Sequence, residues 1–198
     1  MCGISLIYHR DGKAAAAAMI QQMVKSIAHR GPDALTQVVR GPVALGHARL
    51  SIVDIAGGAQ PMLSDDARLA MVFNGEIYNY KEIKKDLKVY AFETEGESEG
   101  IFAAYLTWGE SFIDKLQGMF ALVNSDKNRE KVLLFKDRLG KKPLYYYHDK
   151  DIFAFASEMK ALLALGFYIK PSRDSMLSFL SFQTTLAPDT FYENIKTL

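Results

Sequence analysis

The chain has 198 residues, of which 49% are hydrophobic and 24% charged, with 24 basic side chains against 23 acidic ones. That is enough to bury a sizeable core in one large domain or two small ones, and it excludes a disordered chain. Near-neutral charge builds no electrostatic funnel for nucleic acid, and no apolar run approaches the roughly 20 residues that span a bilayer.

In chain order, Gly3 to Tyr8 is predicted to be a short, buried, β-branched strand that ends at Asp11-Gly12. The alanine-rich stretch Ala14 to Ala28 predicts a helix, with Met19, Ile20, Met23, Val24 and Ile27 on one face and Gly31-Pro32 as its stop. Strands are expected at Leu35 to Val39, Val43 to Leu50 and Leu69 to Phe73. Helices follow after Asn79 (Ile83 and Leu87 inward), over Glu97 to Trp108, and over Ser111 to Leu116. Met119 to Ser125 and Lys131 to Lys136 form a hairpin across Asp126-Lys127-Asn128. Strands at Leu144 to Tyr147 and Ile152 to Ala156 precede a helix from Glu158 to Leu165, ended by Gly166. A weaker helix covers Asp174 to Phe182. Strand runs interspersed with helix pairs predict an α+β fold, with two stacked antiparallel sheets between helical layers.

The one cysteine stands at position 2. It excludes an internal disulfide and fits an intracellular, reducing home. No basic segment precedes the apolar opening, so a secretory signal is not expected. Once Met1 is removed, Cys2 becomes the first residue, and its α-amine, with a pKa of about 8, can serve as general base for its own thiol. The plainer alternative is a small hydrophobe packed in a core. The four histidines show no metal or triad spacing.

Acyl transfer through a thiol also needs an oxyanion stabiliser. Phe73-Asn74-Gly75-Glu76 offers one if Asn-Gly makes a tight turn after an apolar strand, turning the Asn74 amide and the Gly75 N–H outward. Arg49, at the end of an apolar strand, is suited to a carboxylate, from a substrate or from the protein itself. Glu97 or Glu99 is available to an amino group, although acids at a helix start are expected in any case.

Eight segments carry a family resemblance. They are Met1-Cys2-Gly3-Ile4, His29-Arg30-Gly31-Pro32-Asp33, Arg49-Leu50-Ser51-Ile52-Val53-Asp54, Gly58-Ala59-Gln60-Pro61-Met62 and Asn74-Gly75-Glu76-Ile77-Tyr78-Asn79. Leu116-Gln117-Gly118-Met119-Phe120-Ala121, the block from Asp137 to Tyr145, and Ala156-Ser157-Glu158-Met159-Lys160-Ala161-Leu162 complete them. In this order they resemble the glutaminase domain of glutamine-hydrolysing asparagine synthetases, class II glutamine amidotransferases of the four-layer αββα N-terminal nucleophile hydrolase fold. The resemblance implies that Cys2 forms a γ-glutamyl thioester with its α-amine as proton carrier, and that Asn74 and Gly75 make the oxyanion hole. It further implies that Arg49 holds the substrate α-carboxylate with help from the backbone around Ile52 and Val53, and that Glu76 lies beside the substrate amino end.

One departure stands out. Where the family usually shows Thr-x-Ser-Asp-x-Glu, this chain reads Thr94-Glu95-Gly96-Glu97-Ser98-Glu99, which puts Glu97 in place of the aspartate that binds the substrate amino group. The charge is kept on a side chain one methylene longer. In a pocket sized for one amino acid this is worth about 1–3 kcal/mol of affinity or specificity.

The expected activity is hydrolysis of glutamine to glutamate and ammonia, without a cofactor, over residues 1–166. Residues 167–198 are expected to begin the connection to an ATP- and Mg-dependent synthetase domain, because no Ser-Gly-Gly-x-Asp-Ser loop occurs in the chain. Glutamine and that domain are the expected partners, with no nucleic acid or membrane, in the cytoplasm; a homodimer is allowed. The alternatives are an amidotransferase with another ammonia acceptor and a catalytically silent glutamine-binding domain.

Overall fold

The computed structural model describes residues 1–51 and 57–198. Among the described residues, ten strands form two sheets, and every pairing in them is antiparallel. The six-stranded sheet contains β1 (Gly3–His9), β2 (Ala34–Arg40), β3 (Val43–Arg49), β8 (Tyr145–His148), β9 (Ile152–Ala156) and β10 (Ile195–Thr197), in the order β10-β8-β9-β1-β3-β2. The four-stranded sheet contains β4 (Met62–Leu63), β5 (Leu69–Ile77), β6 (Gly118–Asp126) and β7 (Lys131–Lys136), in chain order.

Alternation along the strands builds three apolar layers. Ile4 and Leu6 of β1, Val43 and Leu45 of β3, Ala70 and Val72 of β5, and Ala121 and Val123 of β6 meet between the two sheets. On the outer face of the six-stranded sheet, Ile7, Ala44 and Ala48 pack against Ile20, Met23 and Val24 of α1 (Ala17–Ser26) and against Ala161 and Leu162 of α4 (Met159–Leu163). On the outer face of the other sheet, Met71, Phe73 and Ile77 pack against Ile83 of α2 (Tyr80–Asp86) and Ile101, Phe102 and Tyr105 of α3 (Glu97–Trp108). The result is the expected αββα stack.

The core strands and α3 lie where the sequence pattern places them. α1 starts at Ala17 rather than Ala14 and ends at Ser26, followed by a 3-10 turn over Ala28–Arg30. The segment read as a helix over Ser111 to Leu116 is a 3-10 turn, Gly109–Lys115. Beyond Gly166 the chain forms α5 (Arg173–Phe182) and returns to the sheet edge as β10, whose Ile195 is fully buried.

The Asn-Gly reading is overturned. Asn74 and Gly75 lie inside β5, paired with Ala121 and Phe120 of β6, and no turn forms there. The physical reason is close approach: a Cβ at Gly75 would overlap the Met119 carbonyl oxygen and the Phe120 backbone. Glycine is required here by the neighbouring strand, not by a reversal of the chain.

Candidate active site

The same alternation that fills the inter-sheet layer turns polar at one end of it. Along β3, His47 and Arg49 continue the inward row begun by Val43 and Leu45. Along β5, Asn74 and Glu76 continue that of Ala70 and Val72. Because Gly3 pairs with Ala48, the start of β1 lies beside the end of β3 and brings Cys2 next to Arg49. These residues line a cleft of about 250 Å³ together with Glu97 and Lys142.

Cys2 is held on both sides. Its Sγ accepts from the Leu50 N–H at 3.4 Å and lies 3.6 Å from the Leu50 carbonyl. Its own carbonyl accepts from Arg30 Nε at 2.9 Å, and Arg30 Nη1 reaches Glu158 Oε1 at 2.9 Å. Next to it, the Ile4 N–H donates to Ser157 Oγ at 3.0 Å and the Ile4 carbonyl accepts from the Ser157 N–H at 2.9 Å. Thus the His29–Asp33 and Ala156–Leu162 segments of the family pattern grip the backbone at the nucleophile. Asp33 also accepts from Ser51 N–H at 2.6 Å, fixing the chain just after Arg49. Met1 precedes the thiol, so the Cys2 nitrogen is an amide in this chain and Met1 lines the cleft.

The exposed edge of β5 supplies donors. Beyond the two-residue β4, the Phe73 N–H donates to Gln60 Oε1 at 2.6 Å and the Ile77 N–H to Glu97 Oε2 at 2.5 Å. Phe120, opposite Gly75, uses its own N–H and carbonyl on Asp137 and so points them away from β5. By the alternation of an antiparallel ladder, the Gly75 N–H therefore faces the open edge between those two, toward the cleft. Asn74 is 1% exposed, and its Nδ2 has no partner among the described residues. A buried amide N–H₂ left without an acceptor costs about 1–3 kcal/mol, a cost that an incoming anionic oxygen offsets.

The two glutamates offered by the sequence now separate. Glu99 is buried and accepts from the N–H groups of Glu93 and Thr94 at 2.9 and 2.7 Å and from Thr94 Oγ1 at 2.7 Å, so it ties down the preceding loop. Glu97 lines the cleft, and burial pushes its carboxyl up to about 7. The Ile77 N–H opposes that rise, Glu76 adds to it, and Lys142 opposes it. His47 is fully buried in the cleft wall, and desolvation lowers its ring to about 4. The Phe73 backbone opposes this without forming a good hydrogen bond, while Arg49 reinforces it, so His47 is neutral near pH 7.

Cys2, Arg49, Asn74, Gly75, Glu76 and Glu97 are therefore brought together in one cleft. Ile52 and Val53 lie outside the described residues. The sequence reading missed Gln60, His47 and Lys142. Gln60 also donates to Ser98 Oγ at 3.3 Å and so bridges β5 to α3; its place in the Gly58–Met62 segment was the one signal that pointed to it.

The model of a glutamine amidotransferase domain matches residues 1–198. Asparagine synthetase [glutamine-hydrolyzing] 1 of Bacillus subtilis is 36% identical over 99% of this chain and 32% of its own length. Putative asparagine synthetase [glutamine-hydrolyzing] 2 of Methanocaldococcus jannaschii is 34% identical over 98% of this chain and 42% of its own. The chain thus spans about a third of the length of the curated relatives it matches. Among solved structures, the glutamine phosphoribosylpyrophosphate amidotransferase of B. subtilis shares the fold, with a TM-score of 0.70 and 19% identity over 100% of this chain and 49% of that one. On these matches the chain belongs to the glutamine amidotransferase domain family.

Proposed function

We propose that this chain hydrolyses glutamine to glutamate and ammonia through a γ-glutamyl thioester on Cys2. The observation that carries the reading is the convergence on one cleft of a thiol, a buried amide donor with no partner among the described residues, an arginine and a carboxylate. With Met1 removed, the Cys2 α-amine takes the thiol proton as Sγ attacks the side-chain carboxamide carbon. The developing oxyanion faces Asn74 Nδ2 and the Gly75 N–H, donors held in place before the reaction begins. Collapse breaks the C–N bond, and the amine's proton leaves with ammonia. Water then repeats the sequence on the thioester, breaking the C–S bond and releasing glutamate. Arg49 takes the substrate α-carboxylate, and Glu97 and Glu76 face its ammonium group.

In the longer protein, we place residues 1–166 as the glutaminase unit and residues 167–198 as the start of the connection to a synthetase domain, in the cytoplasm. That domain would use ATP and Mg²⁺ to amidate aspartate with the ammonia, whereas the glutaminase step draws on no cofactor. No helix among the described residues is long and apolar enough to cross a membrane.

The test is ammonia release from glutamine by chain whose N-terminal mass shows Cys2 first. Wild type is expected to turn over, and Cys2→Ala to lose activity by at least 10³-fold while still binding glutamine in calorimetry. Equal release by the two proteins overturns the Cys2 assignment. Binding without turnover in the processed wild type would mark a silent glutamine-binding domain instead.

A further inference from the structure

One charged group in the cleft has no part in the reaction above. Lys142 lies in the loop between β7 and β8, which Asp137 shapes by accepting the N–H groups of Leu139, Lys141 and Lys142 at 3.2, 3.0 and 3.2 Å. The loop sends the Lys142 side chain inward: the residue is 6% exposed and lines the cleft. Its Nζ donates to Met1 Sδ at 3.3 Å, its one hydrogen-bond acceptor among the described residues. A thioether is a weak acceptor for an ammonium group, and this one belongs to the residue that must leave before Cys2 can react.

We propose that Lys142 is a positioning residue that keeps the α-amine uncovered on Cys2 in its unprotonated, proton-accepting form. The inference rests on the glutaminase reading above. From Met1 Sδ, the few covalent bonds to the Cys2 nitrogen add roughly 6 Å at full extension, so Nζ lies within about a Debye length of the amine.

The other charges that face Cys2 make such a counterweight necessary. Glu76 from β5 and Glu97 from α3 bring two carboxylates into the cleft, and both favour an amine that stays protonated. Arg49 from β3 opposes them, but its role is to be neutralised by the substrate carboxylate. Arg30, from the 3-10 turn, contacts the Cys2 carbonyl but is already paired with Glu158. His47 is neutral. Bound substrate neutralises Arg49 through its carboxylate and Glu76 and Glu97 through its ammonium group, which leaves Lys142 as the buried cation that disfavours a protonated amine.

The test exploits the single cysteine: labelling with [¹⁵N]cysteine gives one α-amine signal in the processed chain. Lys142→Met keeps the length and removes the charge. It is expected to raise the midpoint of the ¹⁵N titration by about half to one pH unit, with Lys142→Arg restoring it. The acid limb of kcat, which is free of the Glu97 binding step, should move to higher pH by the same amount, with KM at pH 8.5 unchanged within about twofold. Lys142→Gln serves if the methionine variant does not fold. An unmoved amine midpoint in a folded variant overturns the proposal, as does a KM at pH 8.5 raised well beyond twofold, which would make Lys142 a substrate contact. The titration needs no turnover, so failure of the glutaminase reading leaves it interpretable.

Discussion

At Glu97 a carboxylate occupies the place where the family pattern has aspartate, and its longer side chain reaches the edge of β5. One oxygen is engaged by the Ile77 N–H, and the other has no hydrogen-bond donor among the described residues and faces a ligand in the cleft. Because burial raises this carboxyl to about 7, it is half-protonated at neutral pH, and a protonated acid cannot pair with a substrate ammonium. Affinity for glutamine should therefore weaken as pH falls from 8 to 6, by about tenfold, read as KM or as a calorimetric dissociation constant. Glu97→Gln should bind at least tenfold more weakly at pH 8 and lose that dependence. A pH-independent wild-type affinity would show that Glu97 does not meet the ammonium group. Residue identities were legible here, since the family pattern over Thr94 to Glu99 puts Glu97, not Glu99, in the place of the aspartate. The difference in their roles was not, because it depends on which strand edge and which loop each carboxylate meets across the fold.

β5 is the element on which the site depends. Gly75→Ala would push a methyl group into the Met119 carbonyl and Phe120, so β5 and β6 must separate. The expected cost is about 1–3 kcal/mol in denaturant unfolding, with loss of glutaminase activity because the Gly75 N–H moves. Gln60 finishes the same edge. Gln60→Leu leaves the buried Phe73 N–H and Ser98 Oγ unsatisfied, which should cost about 1–3 kcal/mol by the same measurement. The strand itself was legible from Leu69 to Phe73, where apolar residues run unbroken. Its continuation through Ile77 was not: Asn-Gly is a local turn signal, and only the long-range pairing with β6 overrides it. β4 and β10 were missed for a related reason, being two and three residues long with no periodicity to read.

On the scale of the whole molecule, two groups in one cleft pull the pH dependence of stability in opposite directions. His47, lowered from 6.5 to about 4, is neutral in the folded state, so stability falls by about 3 kcal/mol as pH drops through that window. Glu97, raised from 4.5 to about 7, favours the protonated form on folding, so stability rises by about the same amount as pH drops from 7 to 4.5. The two contributions nearly cancel between pH 4.5 and 6.5, and a flat denaturation profile is expected there. Glu97→Gln should uncover the His47 slope, with stability rising with pH; a variant profile as flat as wild type contradicts this pairing. Below pH 4, acids held under their usual range lose their partners together and the fold gives way. Asp126 is lowered chiefly by its hydrogen bonds from Arg68, and Asp137 by four backbone N–H groups that outweigh its burial. The four-layer stack has a further consequence for how the protein ages. An asparagine followed by glycine is the pair most prone to deamidate, because the next backbone nitrogen can close on the side-chain carbonyl. Within a paired strand, that nitrogen is held away from its target. Chemical loss of Asn74 should therefore wait on excursions that unpair β5 from β6, so the working lifetime of the oxyanion group is set by how often that strand pairing opens.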